Sequence, residues 1–209
     1  MKTFNLLIGR TTKLIMTLAI VLMIAGHPAI FSQETKSVFG TDSETTFIWG
    51  IEMKTASIQH QLCTQYGMFA GALFNHVVMV GITGAANVTH PRVNYGYTGL
   101  MVQVSLNPDK ILHLNSQLTL GSGSTKDYQN EKSNVFDNFG NVTGANFYLA
   151  EAGINGEINL GIKTRFVMGV GYRLVHGIDQ DNENIARTHV TDGDLSGFTI
   201  TAGIKFGLY

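Results

Sequence analysis

The sequence is poor in charged residues, proline and cysteine. Only 14% of its residues are Asp, Glu, Lys or Arg, whereas a typical soluble domain has about 25%. Its single cysteine excludes a disulfide framework within the chain. Three prolines and little charge argue against a disordered chain. A net charge of −1 gives no basic footprint, so we expect no nucleic-acid partner.

Long hydrophobic runs are also missing beyond the N-terminal region, which argues against a helical membrane protein. The N-terminal region itself has a basic start and an apolar core, Leu14–Ala25, followed by Gly26 and Pro28. That order predicts a secretory signal peptide over residues 1–32, cleaved after Ser32. An uncleaved anchor is the alternative, because the apolar stretch approaches the length of a spanning helix if it is extended to Phe31.

The remaining residues alternate between apolar and small or polar side chains, as strands with two different faces do. Residues 55–91 contain no Asp, Glu, Lys or Arg at all. The alternation predicts eight strands, at residues 45–57, 64–75, 77–88, 95–107, 111–123, 146–158, 164–176 and 196–209.

The connections between these strands alternate between short and long. Tight turns are predicted at Asn75-His76, at Asn107–Lys110 and around Leu160–Lys163, where turn-forming residues occur. Wide connections are predicted at Ser57–Cys63, Thr89–Asn94, Ser124–Ala145 and Gly177–Leu195. This alternation is typical of transmembrane β-barrels, whose strands need about 9–11 residues to cross a bilayer.

Charge distinguishes a membrane barrel from a soluble barrel of the lipocalin kind, which is the alternative fold. A charged side chain that faces lipid is costly, so a membrane barrel places its charges inside. All the charged residues of the predicted strands lie on the face opposite the apolar one: Glu52, Lys54, Glu151, Glu157, Arg165, Arg173 and Lys205. We therefore predict an all-β fold, an eight-stranded antiparallel up-and-down transmembrane β-barrel.

Aromatic residues are predicted to form two girdles at the membrane interfaces. The girdle on the short-turn side comprises Phe47, Trp49, Phe74, Phe166, Phe206 and Tyr209. The girdle on the long-loop side comprises Tyr66, Tyr95, Tyr97, Tyr148, Tyr172 and Phe198.

With its signal peptide, eight strands, three tight turns and a last strand that ends Phe206-Gly-Leu-Tyr209, the chain resembles the small bacterial outer-membrane barrels of the OmpX and OmpA type. The resemblance covers residues 45–209 and leaves residues 33–44 as a short periplasmic segment. It implies location in the cell outer membrane, contact with outer-membrane lipid and lipopolysaccharide, and insertion by the barrel-assembly machinery.

An eight-stranded barrel has room inside for side chains only, so an open pore is not expected. We predict that the seven inward charges form a salt-bridge and hydrogen-bond network. The tight turn near Gly161 places Glu157 beside Arg165, while Glu52 and Lys205 lie on the first and last strands, which pair to close the barrel.

No catalytic motif, cofactor motif or metal-site spacing is present, so no catalytic, cofactor-binding or metal residues are predicted. His113 with Ser116, and His176 with nearby loop acids, are loose catalytic candidates. The loop Ile178–Asp194 is acidic but lacks a calcium-binding signature.

We expect a non-enzymatic scaffold whose extracellular loops, 124–145 and 177–195, bind an extracellular ligand or mediate adhesion. The alternatives are a lipid-modifying outer-membrane enzyme and a narrow transport barrel for small apolar molecules.

Overall fold

The computed structural model describes residues 44–58, 61–87, 93–127, 145–178 and 190–207. Its strands are β1 (Thr45–Ile58), β2 (Gln61–Phe74), β3 (Val78–Asn87), β4 (Val93–Leu106), β5 (Leu112–Asp127), β6 (Ala145–Gly161), β7 (Thr164–His176) and β8 (Gly197–Gly207). A short helix, α1 (Asp192–Leu195), precedes β8. The predicted signal peptide and nearly all of the predicted segment 33–44 lie outside the described residues.

Each strand pairs antiparallel with its sequence neighbour, and β8 pairs with β1, so the eight strands form a closed barrel. The predicted fold class is confirmed. No helix within the described ranges is long and apolar enough to cross a membrane.

The two faces of the wall are distributed as in a membrane barrel. Large apolar side chains such as Ile82, Leu100 and Val170 are well exposed on the outside. Arg165 and Arg173, by contrast, are almost completely buried inside. A soluble barrel would show the reverse, so the lipocalin-like alternative is wrong.

The first predicted connection is much shorter than expected. Ser57–Cys63 was predicted to be a wide loop, but β1 continues to Ile58 and β2 begins at Gln61, and these two residues pair. The alternation of faces continues to the ends of both strands, with Ile58 and Cys63 fully buried inside. Short and long connections therefore do not alternate strictly along this chain.

The three tight turns occur where they were predicted. Asn75, His76 and Asn107 adopt positive φ angles of 50°, 61° and 52°, a conformation that asparagine tolerates better than most residues. Asn75 also accepts a hydrogen bond from the Glu44 backbone N–H at 3.0 Å through its side-chain oxygen. This contact ties the β2–β3 turn to the start of β1.

Glycine lets neighbouring strands approach closely inside the barrel. Gly99 of β4 lies directly opposite Gly121 of β5. A Cβ on Gly99 would lie 2.5 Å from the Leu120 carbonyl oxygen and 2.8 Å from the Gly121 Cα, so no other residue fits without displacing the backbone. Both positions of this facing pair therefore require glycine.

The aromatic girdles are partly confirmed. On the outside, Trp49 stacks on Phe206 with ring centroids 4.6 Å apart, and Tyr172 meets Phe198 edge-on at 5.1 Å. Tyr95 and Tyr97, however, were predicted to face lipid and are buried inside the barrel. Their rings belong to the interior network, because they share a face of β4 with the buried Gln103.

Two apolar clusters lie at the ends of the interior. The cluster nearer the tight turns comprises Ile48, Phe69, Leu73, Met79 and Met101. The larger cluster, nearer the long connections, includes Ile58, Cys63, Tyr95, Phe147, Val175, Ile178, Val190 and Leu195. Along β4 the buried Gln103 and Ser105 lie on the turn side of Met101, so polar residues fill the interior beside the first cluster as well as between the two clusters.

Candidate functional site in the barrel interior

All seven charged residues singled out from the sequence face the interior, and each exposes at most 6% of its surface. They form two groups at different heights. The loop-side cluster comprises Glu52, Lys54, Glu151 and Arg173, together with Gln65, Tyr95 and Tyr97. The turn-side cluster comprises Glu157, Arg165 and Lys205, together with Gln103, His113, Asn115, Gln117 and Asn155.

The loop-side cluster is built around the Glu151 carboxylate. Lys54 Nζ lies 2.8 Å from one of its oxygens, and the Arg173 guanidinium donates to the other at 2.7 Å. Lys54 also lies 3.1 Å from Glu52 on its own strand. Two carboxylates face two cations, so the formal charge of this cluster is zero.

Arg173 connects strands on opposite sides of the lumen. From β7 it donates to the Tyr95 hydroxyl oxygen at 2.8 Å and to Gln65 Oε1 at 3.0 Å. Its guanidinium carbon lies 5.0 Å from the centre of the Tyr97 ring, within cation–π range. Because β2 and β4 lie across the barrel from β7, these contacts close the lumen with side chains at this height.

The turn-side cluster is built around Glu157, which is fully buried. Lys205 and Asn115 both donate to its Oε1. His113 Nε2 lies 3.0 Å from its Oε2, and Arg165 Nη1 lies 3.5 Å from the same oxygen. One carboxylate faces a lysine and an arginine, so this cluster has a formal charge of +1 with His113 counted as neutral.

A closed ring of hydrogen bonds fills the lumen at this height. In order, the ring passes through Lys205, Gln103, Gln117, Asn155, Asn115 and Glu157, and returns to Lys205. Lys205 donates to Gln103 at 2.6 Å, and Gln103 donates to Gln117 at 2.8 Å. The six side chains come from β4, β5, β6 and β8, so the ring bridges opposite walls. Its donors and acceptors satisfy one another, which lets polar groups be buried there at low cost.

The structure brings the charges together in partly different pairs from those inferred from the sequence. Glu157 does lie near Arg165, across the β6–β7 hairpin. Lys205 also reaches Glu157, whereas Glu52 pairs with Lys54. The reason is the register: Glu52 lies opposite Gly203, and Lys205 opposite Gly50, so their side chains start at different heights.

The alternation of residues 111–123 already placed His113, Asn115 and Gln117 on the polar face, but the other uncharged members of the two clusters were not predicted to face inward: Gln65, Tyr95, Tyr97, Gln103 and Asn155. The Asn107–Lys110 turn predicts which β4 side chains face inward, because a tight turn fixes the register of the strands that it joins. It places Gln103 opposite Gln117 and Tyr97 opposite Gly123, on the same face as His113. The tyrosines of β4 therefore had to face inward.

The catalytic candidates are not assembled. His113 is buried inside, whereas Ser116, three residues further along β5, lies on the opposite face. The His176 side chain is 91% exposed and pairs with Asp192 at 3.2 Å. Asp192 and Asp194 accept local backbone hydrogen bonds, while the other acids of the 178–194 loop lie outside the described residues. In the described ranges, no three His, Cys, Asp or Glu side chains converge on a point.

Residues 190–196, which we call the mouth segment, pack at the end of the interior nearest the long connections. Val190 and Leu195 are buried in the apolar cluster with Ile58 and Cys63. Asp192 accepts hydrogen bonds from the Gly177 and Ile178 backbone N–H groups at 3.2 and 2.9 Å. The segment is thus fastened to the end of β7 by both apolar and polar contacts.

Among comparisons with known proteins, the likenesses found are to solved structures. No protein-family model and no curated protein matches the sequence. Among solved structures, Neisserial surface protein A aligns over 78% of this chain and 97% of its own, with a TM-score of 0.54 and 8% identity. Ail, the attachment invasion locus protein of Yersinia pestis, aligns over 78% and 97%, with a TM-score of 0.43 and 13% identity.

A third likeness is to the outer membrane protein OprG from Pseudomonas aeruginosa, over 79% of this chain and 96% of that one, with a TM-score of 0.46 and 11% identity. At such identities the comparisons bear on the fold alone. The likeness to Neisserial surface protein A confirms the predicted resemblance to small eight-stranded outer-membrane barrels.

Proposed function

We propose that this chain is an exported bacterial outer-membrane barrel that acts as a non-enzymatic scaffold. On this proposal residues 1–32 direct export, the barrel-assembly machinery inserts residues 45–209, and the wall contacts outer-membrane lipid and lipopolysaccharide. The chain between β5 and β6 and between β7 and the mouth segment, within the predicted loops 124–145 and 177–195, then presents a binding or adhesion surface to an extracellular ligand.

The observation that carries the proposal is the closed interior. The two clusters join opposite walls at two heights, and Val190 and Leu195 of the mouth segment pack into the apolar cluster at the loop side. These interior contacts leave the loops as the candidate for function, since loops on a rigid scaffold commonly carry binding. The same closure disfavours the alternative of a transport barrel, and the separation of His113 from Ser116 disfavours catalysis by that pair.

Loop deletion tests the scaffold. Variants that lack residues 128–144 or 179–189 keep every strand, because these segments lie between strand ends. We expect cells that express either variant to display a folded barrel, shown by a heat-dependent shift in gel migration, and to lose adhesion to host cells or matrix. Adhesion equal to that of the intact protein in a double deletion would contradict the proposal.

Two measurements test the alternatives. Planar-bilayer recordings should show no stable conductance, whereas a steady single-channel current would support transport. A mass-spectrometric comparison of lipid A and phospholipids from cells with and without the protein should show no difference. A new lipid species that disappears in a His113→Ala variant would establish the enzyme instead.

A further inference from the structure

An aliphatic patch lies at the turn end of β5 and β6. It comprises Ile111, Leu112, Ile158, Leu160 and Ile162, which we call the turn patch. Ile162 is 83% exposed and Ile111 is 75% exposed, although both belong to tight turns, where polar residues are usual.

The turn patch is one continuous surface. Leu112 lies directly opposite Ile158 across the β5–β6 pair. The Asn159 backbone N–H donates to the Ile111 carbonyl at 2.9 Å, and its side chain donates to the Lys110 carbonyl at 3.1 Å. The β4–β5 turn is therefore held against the end of β6, beside Leu160.

Two cations border the turn patch. Lys110 precedes Ile111 and Lys163 follows Ile162, and both side chains are exposed. The exposed Asp109 is the neighbouring acid, which leaves an excess of one positive charge. Lysines beside apolar surface are suited to hold phosphate groups while their alkyl stems lie along the apolar side chains.

The β2–β3 turn provides the contrast within the same barrel end. It presents Asn75 and His76, and His76 Nε2 lies 3.1 Å from a carboxylate oxygen of Glu44. The turn has two polar residues before Val77 and has no flanking lysine. The turn patch therefore favours lipid, whereas the β2–β3 turn favours water.

We propose that the turn patch is immersed in the membrane leaflet on the turn side and binds anionic phospholipid headgroups through Lys110 and Lys163. Its continuity with the lipid-facing wall at Leu112 and Ile158, together with the flanking positive charge, selects a lipid leaflet as the partner. The proposal rests on the barrel spanning a membrane, and it adds that the barrel enters that leaflet more deeply at β5–β6 than at β2–β3.

Fluorescent labelling tests the depth. Cys63 is the only cysteine, so a Cys63→Ala background accepts a single new cysteine at Ile162, at His76 as the polar-turn control, or at the lipid-facing Ile82. Each variant of the full chain is labelled with an environment-sensitive fluorophore and reconstituted in phosphatidylcholine vesicles. We expect lipids with a nitroxide near the headgroup to quench the label at 162 but hardly at 76, and aqueous iodide to do the reverse.

Equal iodide quenching at 162 and 76, with the label at 82 quenched by lipid, would overturn the proposal and leave the turn patch facing water. If the label at 82 also escaped quenching by lipids with a nitroxide on the acyl chain, the membrane barrel itself would be wrong. The two failures are therefore distinguishable.

The headgroup preference has its own test. Native mass spectrometry compares bound phosphatidylglycerol with bound phosphatidylethanolamine on the intact protein. Each of Lys110→Gln and Lys163→Gln should lower the preference for phosphatidylglycerol by up to about fivefold, whereas Asp109→Asn should raise it. An unchanged preference in the double lysine variant would overturn the assignment of the headgroup site.

Discussion

The loop-side and turn-side clusters both fill the interior with buried polar side chains, but they compensate buried charge in different ways. In the loop-side cluster two carboxylates balance two cations, and two tyrosines and a glutamine complete the contacts. In the turn-side cluster one carboxylate, Glu157, faces two cations and is supported by a ring of amides. The difference teaches that charge balance and hydrogen-bond satisfaction are partly interchangeable in a narrow interior. It also makes the turn-side cluster depend on one residue.

The largest effect is expected at Glu157. Glu157→Gln keeps the shape of the side chain but removes the buried negative charge that Lys205 and Arg165 share. Breaking a buried ion pair in this way costs about 3–5 kcal/mol. Urea unfolding of the reconstituted barrel, followed by the heat-dependent gel shift, measures the loss. A cost below that of Glu151→Gln would contradict the comparison.

Glu151→Gln should cost less, about 1.5–3 kcal/mol, which is the range for a hydrogen bond to a charged group. Lys54 keeps Glu52 at 3.1 Å, and Arg173 keeps its bonds to Tyr95 and Gln65. The same unfolding assay applies, with Glu52→Gln as the matched single-carboxylate control. If Glu151→Gln equalled Glu157→Gln, the remaining partners would not compensate.

The sequence made the charged half of both clusters predictable because charge is the strongest marker of an inward face in a membrane barrel. The alternation of apolar and polar residues, together with the turn residues, was sufficient to predict the number of strands and their order. The pairing of individual charged side chains was harder to predict, since a one-residue shift in register changes every neighbour. Glu52 and Lys205 show this. Tyr95 and Tyr97 were misplaced because aromatic rings are equally at home at a membrane interface and in an interior.

A double-mutant cycle separates the two cations of the turn-side cluster. Arg165 Nη1 lies 3.5 Å from Glu157, at the limit of a hydrogen bond, whereas Lys205 is in close contact with the same carboxylate. We expect Lys205→Met and Glu157→Gln to be strongly non-additive, by about 1–3 kcal/mol, and Arg165→Met and Glu157→Gln to be coupled by less than about 1 kcal/mol. Full additivity of the Lys205 pair would show that the ring is not held by this contact.

Tyrosine hydroxyls test the loop-side cluster at a finer level. Tyr95→Phe removes the oxygen that accepts from Arg173 at 2.8 Å, and Tyr97→Phe removes a longer contact to Lys54 at 3.2 Å. Each substitution keeps the ring and its packing, so we expect a loss of about 1.5 kcal/mol for Tyr95→Phe, whose partner is charged, and less for the longer contact of Tyr97→Phe. The reverse order in urea unfolding would mean that Lys54, and not Arg173, organises this cluster.

The smallest change in stability is expected at the mouth segment, where exposure and not unfolding is the informative measurement. Asp192→Asn weakens the bonds to the Gly177 and Ile178 N–H groups but leaves Val190 and Leu195 in the apolar cluster. Because Cys63 belongs to that cluster and is fully buried, its reaction with a thiol reagent reports local opening. Weakening by about 0.5–1 kcal/mol should raise the labelling rate about two- to fivefold while the urea midpoint hardly moves.

Asp194→Asn, which changes a bond within the mouth segment itself, is the matched control and should have a smaller effect. Labelling of Cys63 that changed only in step with global unfolding would show that the mouth segment is as firmly fixed as the two charged clusters beneath it.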